Sequence, residues 1–258
     1  MTTVLYRVEN HVATVTLNRP EALNCFNYEM LKEFNEVAEQ IRTNAEVRVV
    51  IITGSGEKAF SVGADLKERK TLNDEQVRRN VYKIGEVFAN IGDLPQPTIA
   101  AINGYAFGGG MELALACDFR ISAVDTSMGL TETSLAIIPG AGGTQRLPRL
   151  IGETKALELI LTAKRLSAHE AKEYGIVSSV VARDELMEAT MKLANEMLKN
   201  GPLAIQQAKF AIKQGMNTDL HTGFKLERKA YEVIIPTEDR VEALAAFNEK
   251  RKPNFKGK

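Results

Sequence analysis

The stretch Gly104 to Asp118, reading GYAFGGGMELALACD, constrains this chain more than any other. Gly108, Gly109 and Gly110 close an irregular segment and open an apolar helix, with Glu112 in its first turn. Consecutive glycines let backbone approach a ligand closely and adopt dihedrals that a Cβ would forbid. The first amides of a helix lack intrahelical partners and sit at the positive end of its dipole. Amides of that kind, fixed before the reaction, can hold an oxyanion, here with a carboxylate beside them. Glycines before a helix are also ordinary punctuation, and a first-turn Glu often closes a capping box. A capping box would need Ser or Thr where Gly109 stands. The Ala-Leu-Ala-Cys run after Glu112 predicts a buried helix, where an ionisable group is costly unless it has a partner or a task. Taken alone, the stretch leaves both readings open.

The rest of the chain sets the context. With 258 residues there is enough chain for one large α/β domain with a substantial core. Lys plus Arg equals Asp plus Glu at 33 each, a balance that predicts no polyanion partner. Cys25 and Cys117 lie far apart in apolar surroundings and read as reduced core residues. No apolar run reaches membrane-spanning length, and a strand pattern begins almost at once, so a soluble cytoplasmic protein is expected.

Val12 to Leu17 reads as a strand stopped by Asn18-Arg19-Pro20. Phe26, Met30, Phe34, Val37 and Ile41 recur at helical spacing. The apolar run Val47 to Thr53 predicts a strand covered on both faces. Gly54 to Ala59 matches the dinucleotide-binding fingerprint in its alanine variant, but that motif requires a helix to start within it. Phe60 to Asp65 intervenes instead, so a turn is expected and a Rossmann enzyme is the losing alternative. Residues 67 to 83 read as a solvated helix or loop, and strands are expected at Thr98 to Ile102 and Phe119 to Ser122. From Thr144 the pattern is almost all helical, with one strand near Ile176 to Val181. No internal repeat of solenoid period is visible. His11, His169 and His221 are scattered without metal spacing, and Gly140 to Thr144 lacks the Lys of a phosphate loop, so it reads as a tight turn and helix start.

The chain resembles the crotonase superfamily, the enoyl-CoA hydratase/isomerase family, from about Val12 to its end. The resemblance rests on Leu17-Asn18-Arg19-Pro20 with Ala22-Leu23-Asn24, on Ala59 to Leu66, on the glycine stretch, on Ile138 to Arg146 and on Phe247 to Lys252. Their order and spacing make it specific. Within the family the chain looks most like the methylglutaconyl-CoA hydratase branch, through Gly63 to Arg69, Met128-Gly129-Leu130 and Ile235-Pro236-Thr237. Periodicity alone predicts an open parallel sheet. The resemblance implies instead an α/β spiral of ββα units over residues 1–195, with a C-terminal helical trimerisation region over 196–258.

The resemblance also implies roles. Amides of Ala64 and Gly109 would form an oxyanion hole for a thioester carbonyl, and Glu112 and Glu132 would hold and activate water. Ala22, Leu23, Asp65, Leu66 and Lys67 would contact the acyl-CoA substrate. Tyr231 and Lys250 would approach coenzyme bound to a neighbouring subunit of a homotrimer or dimer of trimers. No metal and no cofactor beyond the coenzyme A of the substrate is implied. Hydration of a 2-enoyl thioester needs one ionised carboxylate as base and one protonated carboxyl as acid, and neighbouring carboxylates in a dry pocket can hold those opposite states. Glu112 is expected as base towards water and Glu132 as acid towards Cα. An isomerase or decarboxylase of the same fold is the alternative, although family isomerases usually lack one of the two carboxylates. The methylglutaconyl-CoA hydratase branch includes a member that binds RNA through a lysine-rich helix. The corresponding helix here, about Tyr28 to Glu46, carries Glu29, Glu33, Glu36, Glu39 and Glu46 against Lys32 and Arg42, so RNA binding is not expected.

Overall fold

The computed structural model describes residues 2–258. Six strands form the larger sheet in the order β1 (Val4–Glu9), β2 (Val12–Leu17), β3 (Val49–Gly54), β5 (Thr98–Ile102), β7 (Phe119–Ala123) and β10 (Ser179–Val181). Only β1 is antiparallel to its neighbour; β2, β3, β5, β7 and β10 run parallel. A second sheet is built from short strands in the order β4 (Ala59–Ser61), β6 (Tyr105–Phe107), β8 (Ser127–Gly129) and β9 (Leu166–Ser167).

Chain order alternates between the two sheets: β3 then β4, β5 then β6, β7 then β8. Each pair is followed by helix: α2 (Leu66–Arg69) and α3 (Asp74–Gly92), then α4 (Gly109–Ala116), then α5 (Gly143–Ile151) and α6 (Glu153–Leu161). This is a spiral of ββα turns, not the open sheet that periodicity predicts. The reason is physical: β4, β6 and β8 have three residues each, too few to register as alternation, so only the larger sheet is visible to a pattern reading. The same shortness turns the supposedly irregular lead-in to the triple glycine into strand β6. The turns also differ in length, which removes any fixed sequence period.

Burial on both faces explains the continuous apolar strands. Val50 and Ile52 of β3 join a core beneath α1 (Tyr28–Thr43), α3 and α4, whereas Val49 and Ile51 join a second cluster with Leu186 and Ala194 of α8 (Leu186–Leu198). Helix α8 continues three residues past the expected boundary at 195. Beyond it lie α9 (Pro202–Gly215), α10 (Leu220–Ile234) and α11 (Glu238–Asn248); α7 (Ala168–Glu173) follows β9. Lys209 and Lys213 of α9 tie this region to the core, each 2.6 Å from the Asp118 carboxylate before β7. The last residues fold back on their own chain: amides of Lys256 and Gly257 donate to the buried Asp239 carboxylate at 2.7 and 2.8 Å. The basic terminus is thus tethered to its own chain while most of its residues stay exposed. No described helix is long and apolar enough to cross a membrane.

Candidate active site

Helix α4 is buried along its whole length, and its N-terminus lies where the two sheets and α3 converge. Gly108 caps it with φ 53°, a left-handed backbone angle suited to glycine. Gly63 on the preceding turn has φ 91°, and a Cβ there would lie 2.7 Å from the Gly109 nitrogen. The backbones of residues 63–64 and 108–109 are therefore in direct contact. Ala64 sits beside Phe26 in an isolated parallel bridge: the Phe26 amide donates to the Gly63 carbonyl at 2.7 Å, and the Asp65 amide donates to the Phe26 carbonyl at 2.9 Å. That pattern skips the Ala64 amide. Neither the Ala64 nor the Gly109 N–H has a hydrogen-bond partner among the described residues.

Two carboxylates flank this pair of amides. Glu112, 3% exposed, is in the first turn of α4, and its Oε1 accepts from the Ala141 and Gly143 amides at 2.7 and 2.9 Å. Glu132, 8% exposed, opens the short 3-10 turn Glu132–Leu135 that follows β8. Its Oε1 would lie 3.4 Å from a Cβ on Gly108, and its Oε2 is buried with no hydrogen-bond partner. Burial raises the pKa of both groups. For Glu112 the Gly143 and Ala141 amides and the Arg146 charge oppose that rise. For Glu132 the nearby Glu112 charge adds to it, and the group is pushed up to about 7. The two environments thus separate the pair: Glu112 has donors for an anion, Glu132 has none on its buried oxygen. Unpaired amides facing a carbonyl, one carboxylate supplied with donors and one carboxyl held near neutrality can together polarise an acyl group and move protons at its α and β carbons.

The other expected contact residues are placed unevenly. Ala22 ends a 3-10 turn, and Leu23, at φ 53°, accepts through its carbonyl from the Val62 amide at 3.2 Å, next to the Gly63–Ala64 strand end. Leu23 also lines a groove with Pro20, Ser55 and Lys58. Leu66 and Lys67 start α2, both exposed. Asp65 is occupied structurally: it caps α2 through the Lys67 and Glu68 amides and forms a pair with Arg19 at 3.0 Å. Tyr231 is 65% exposed on α10, and Lys250 is exposed just past α11. Within one chain, neither makes a hydrogen bond or ion pair with the residues around Glu112 and Glu132 among the described residues. The donors to Glu112 are absent from any reading of the sequence. Residues 140–144 present as a tight turn, and they are one, with Gly142 at φ 106°, but the turn's amides serve a carboxylate 29 and 31 residues earlier.

The chain is similar over nearly its whole length to several known proteins. An enoyl-CoA hydratase from Bacillus anthracis, solved as a crystal structure, superposes with a TM-score of 0.97 at 53% identity, covering 99% of this chain and 100% of that one. The human mitochondrial methylglutaconyl-CoA hydratase is 45% identical over 95% of this chain and 74% of its own length. A short-chain-enoyl-CoA hydratase of Clostridium acetobutylicum is 43% identical over 96% of this chain and 95% of its own. Residues 7–258 match the enoyl-CoA hydratase/isomerase family as a whole, and the chain belongs to that family.

Proposed function

We propose that the protein adds water across the 2,3 double bond of an enoyl-CoA thioester to give a 3-hydroxyacyl-CoA. The observation that carries this reading is the paired burial of Glu112 and Glu132 in unlike environments beside two unpaired amides. The thioester carbonyl accepts from the Ala64 and Gly109 amides. Water attacks C3 while Glu112 takes its proton, and the electron pair of the double bond moves towards the carbonyl oxygen as enolate charge. The two amides stabilise that charge most where it is largest, in the transition state. Glu132 delivers its proton to C2, and the proton taken by Glu112 resets the pair. An isomerase that shuttles one proton between two carbons has less need of a second buried carboxyl.

The relatives named for short-chain and for methylglutaconyl thioesters differ by two percentage points in identity, so likeness does not choose the acyl group. A panel of crotonyl-CoA, a long-chain 2-enoyl-CoA and methylglutaconyl-CoA, ranked by kcat/KM with the products identified, supplies that choice. Formation of 3-hydroxyacyl-CoA from at least one of them is expected. Double-bond migration without hydration of any would overturn the reading. Residues 196–258 are read as the assembly region of a homotrimer or dimer of trimers, supported by apolar side chains left exposed on α9–α11, among them Ile212, Leu220, Phe224 and Phe247.

A further inference from the structure

We propose that Arg146 is a positioning residue for Glu112, acting through the loop that supplies the carboxylate's two amide donors. The inference rests on the reading of Glu112 as the base. Arg146 lies in α5, one turn beyond that loop. Its Nη1 donates to the Ala141 carbonyl at 2.9 Å, and its Nη2 reaches the Phe88 carbonyl of α3 at 3.4 Å. The Ala141 amide donates to Glu112 from one side of this residue, and the Gly143 amide donates from the other. The guanidinium therefore holds the 141–142 peptide, which lies between the two donors, and braces it against a helix of another spiral turn. Gly142 leaves the room for it: a Cβ there would lie 2.9 Å from the guanidinium carbon. With its planar fork Arg146 can bond two carbonyls at fixed angles, which a Lys cannot reproduce.

Charge adds to geometry. Arg146 is mostly buried, and the charged or titratable groups acting on it are Glu112, Asp93 and Cys117; Glu112 in turn faces Glu132 and Arg146. A fixed cation beside Glu112 favours its ionised form, the form a base needs. Arg146 touches no reacting atom in this scheme. Its effect is to keep Glu112 aimed and charged.

The test is a double-mutant cycle of R146M and E112Q, with hydration of crotonyl-CoA, or whichever enoyl-CoA the parent turns over best, as readout. R146M should lower kcat by about 10–100-fold, the usual cost of losing a group that orients a contact residue, with KM little changed. The acidic limb of its pH–kcat profile should move to higher pH, and R146K should return that limb towards the parent. In the E112Q background R146M should cost almost nothing further, because its effect passes through a carboxylate no longer present. Equal losses in both backgrounds, or an unmoved acidic limb, would show a role in folding only and overturn the proposal. If R146M does not fold, R146K, which keeps the charge but loses the two-carbonyl fork, completes the cycle on its kcat losses alone. An E112Q enzyme as fast as its parent would sink the reading of Glu112 itself; a slow E112Q with additive R146 losses sinks only the role given to Arg146.

Discussion

Burial costs Glu132 more than it costs Glu112. Its Oε2 is buried without a partner, while Glu112 accepts two backbone amides. A carboxyl whose pKa is raised in the folded state, here to about 7, binds its proton more tightly when folded than when unfolded. Its contribution is fully present below the unfolded value near 4.5 and is lost as pH rises towards 7. Glu132→Gln removes this titration. Relative to the parent, the variant should therefore gain stability between pH 4.5 and 7, by on the order of 1–3 kcal/mol. Thermal unfolding of both proteins across that range checks it, and parallel curves would contradict the assigned environment. The same substitution should abolish most turnover, so the residue exchanges stability for chemistry, as groups at functional sites commonly do. This asymmetry between the two glutamates is not in the sequence. Their identities and spacing suggest a pair; which one has donors depends on a loop whose own residues show nothing but glycine and a helix start.

At the level of elements, the N-terminus of α4 and the segment just after β4 have to touch for the Ala64 and Gly109 amides to lie close together. The contact depends on glycine: Gly109 has Ile84 Cδ1 and the Gly63 Cα 3.2 and 3.3 Å from where its Cβ would stand. Gly109→Ala and Gly109→Pro both add that atom, but only Pro removes the N–H donor. Pro is otherwise well tolerated at the first helical position. Turnover of the Pro variant should fall below that of the Ala variant by about 10²–10³-fold, the typical worth of one such donor. Equal activity in two variants of matched melting temperature would mean that the Gly109 amide holds no charge. Much of this level was legible beforehand. The strands at 12–17, 98–102 and 119–122, the helices from Thr144 onward and the buried helix behind the triple glycine all follow from runs and spacings that survive in the fold. Strands β4, β6 and β8 did not, because three residues cannot show alternation, and with them went the second sheet and the spiral. Family resemblance supplies the spiral where periodicity stops.

The paired glutamates lie in the spiral, and the C-terminal helices expose a set of large apolar side chains. Tyr231 and Lys250 stand exposed on that outer part, where we propose that they reach coenzyme bound to a neighbouring copy. Lys250 has no partner among the described residues, and an ammonium can hold a phosphate as a point charge. Lys250→Ala should raise KM for acyl-CoA at most about fivefold at low salt, with kcat unchanged, in keeping with the ~0.2–1 kcal/mol of an exposed ion pair. The effect should fade as salt screens it. A KM equal to the parent's at low salt, or a monomer at working concentration, would remove Lys250 from the site. The spiral, the paired glutamates and the two amides meet in one question, whether both carboxyls are needed for hydration. Steady-state hydration by Glu112→Gln and Glu132→Gln, each folded, against the parent on its best enoyl-CoA, answers it most directly. Each variant should lose about 10²–10⁴-fold in kcat, the range of a positioned acid or base. Retention of parental turnover by either variant would contradict the paired mechanism.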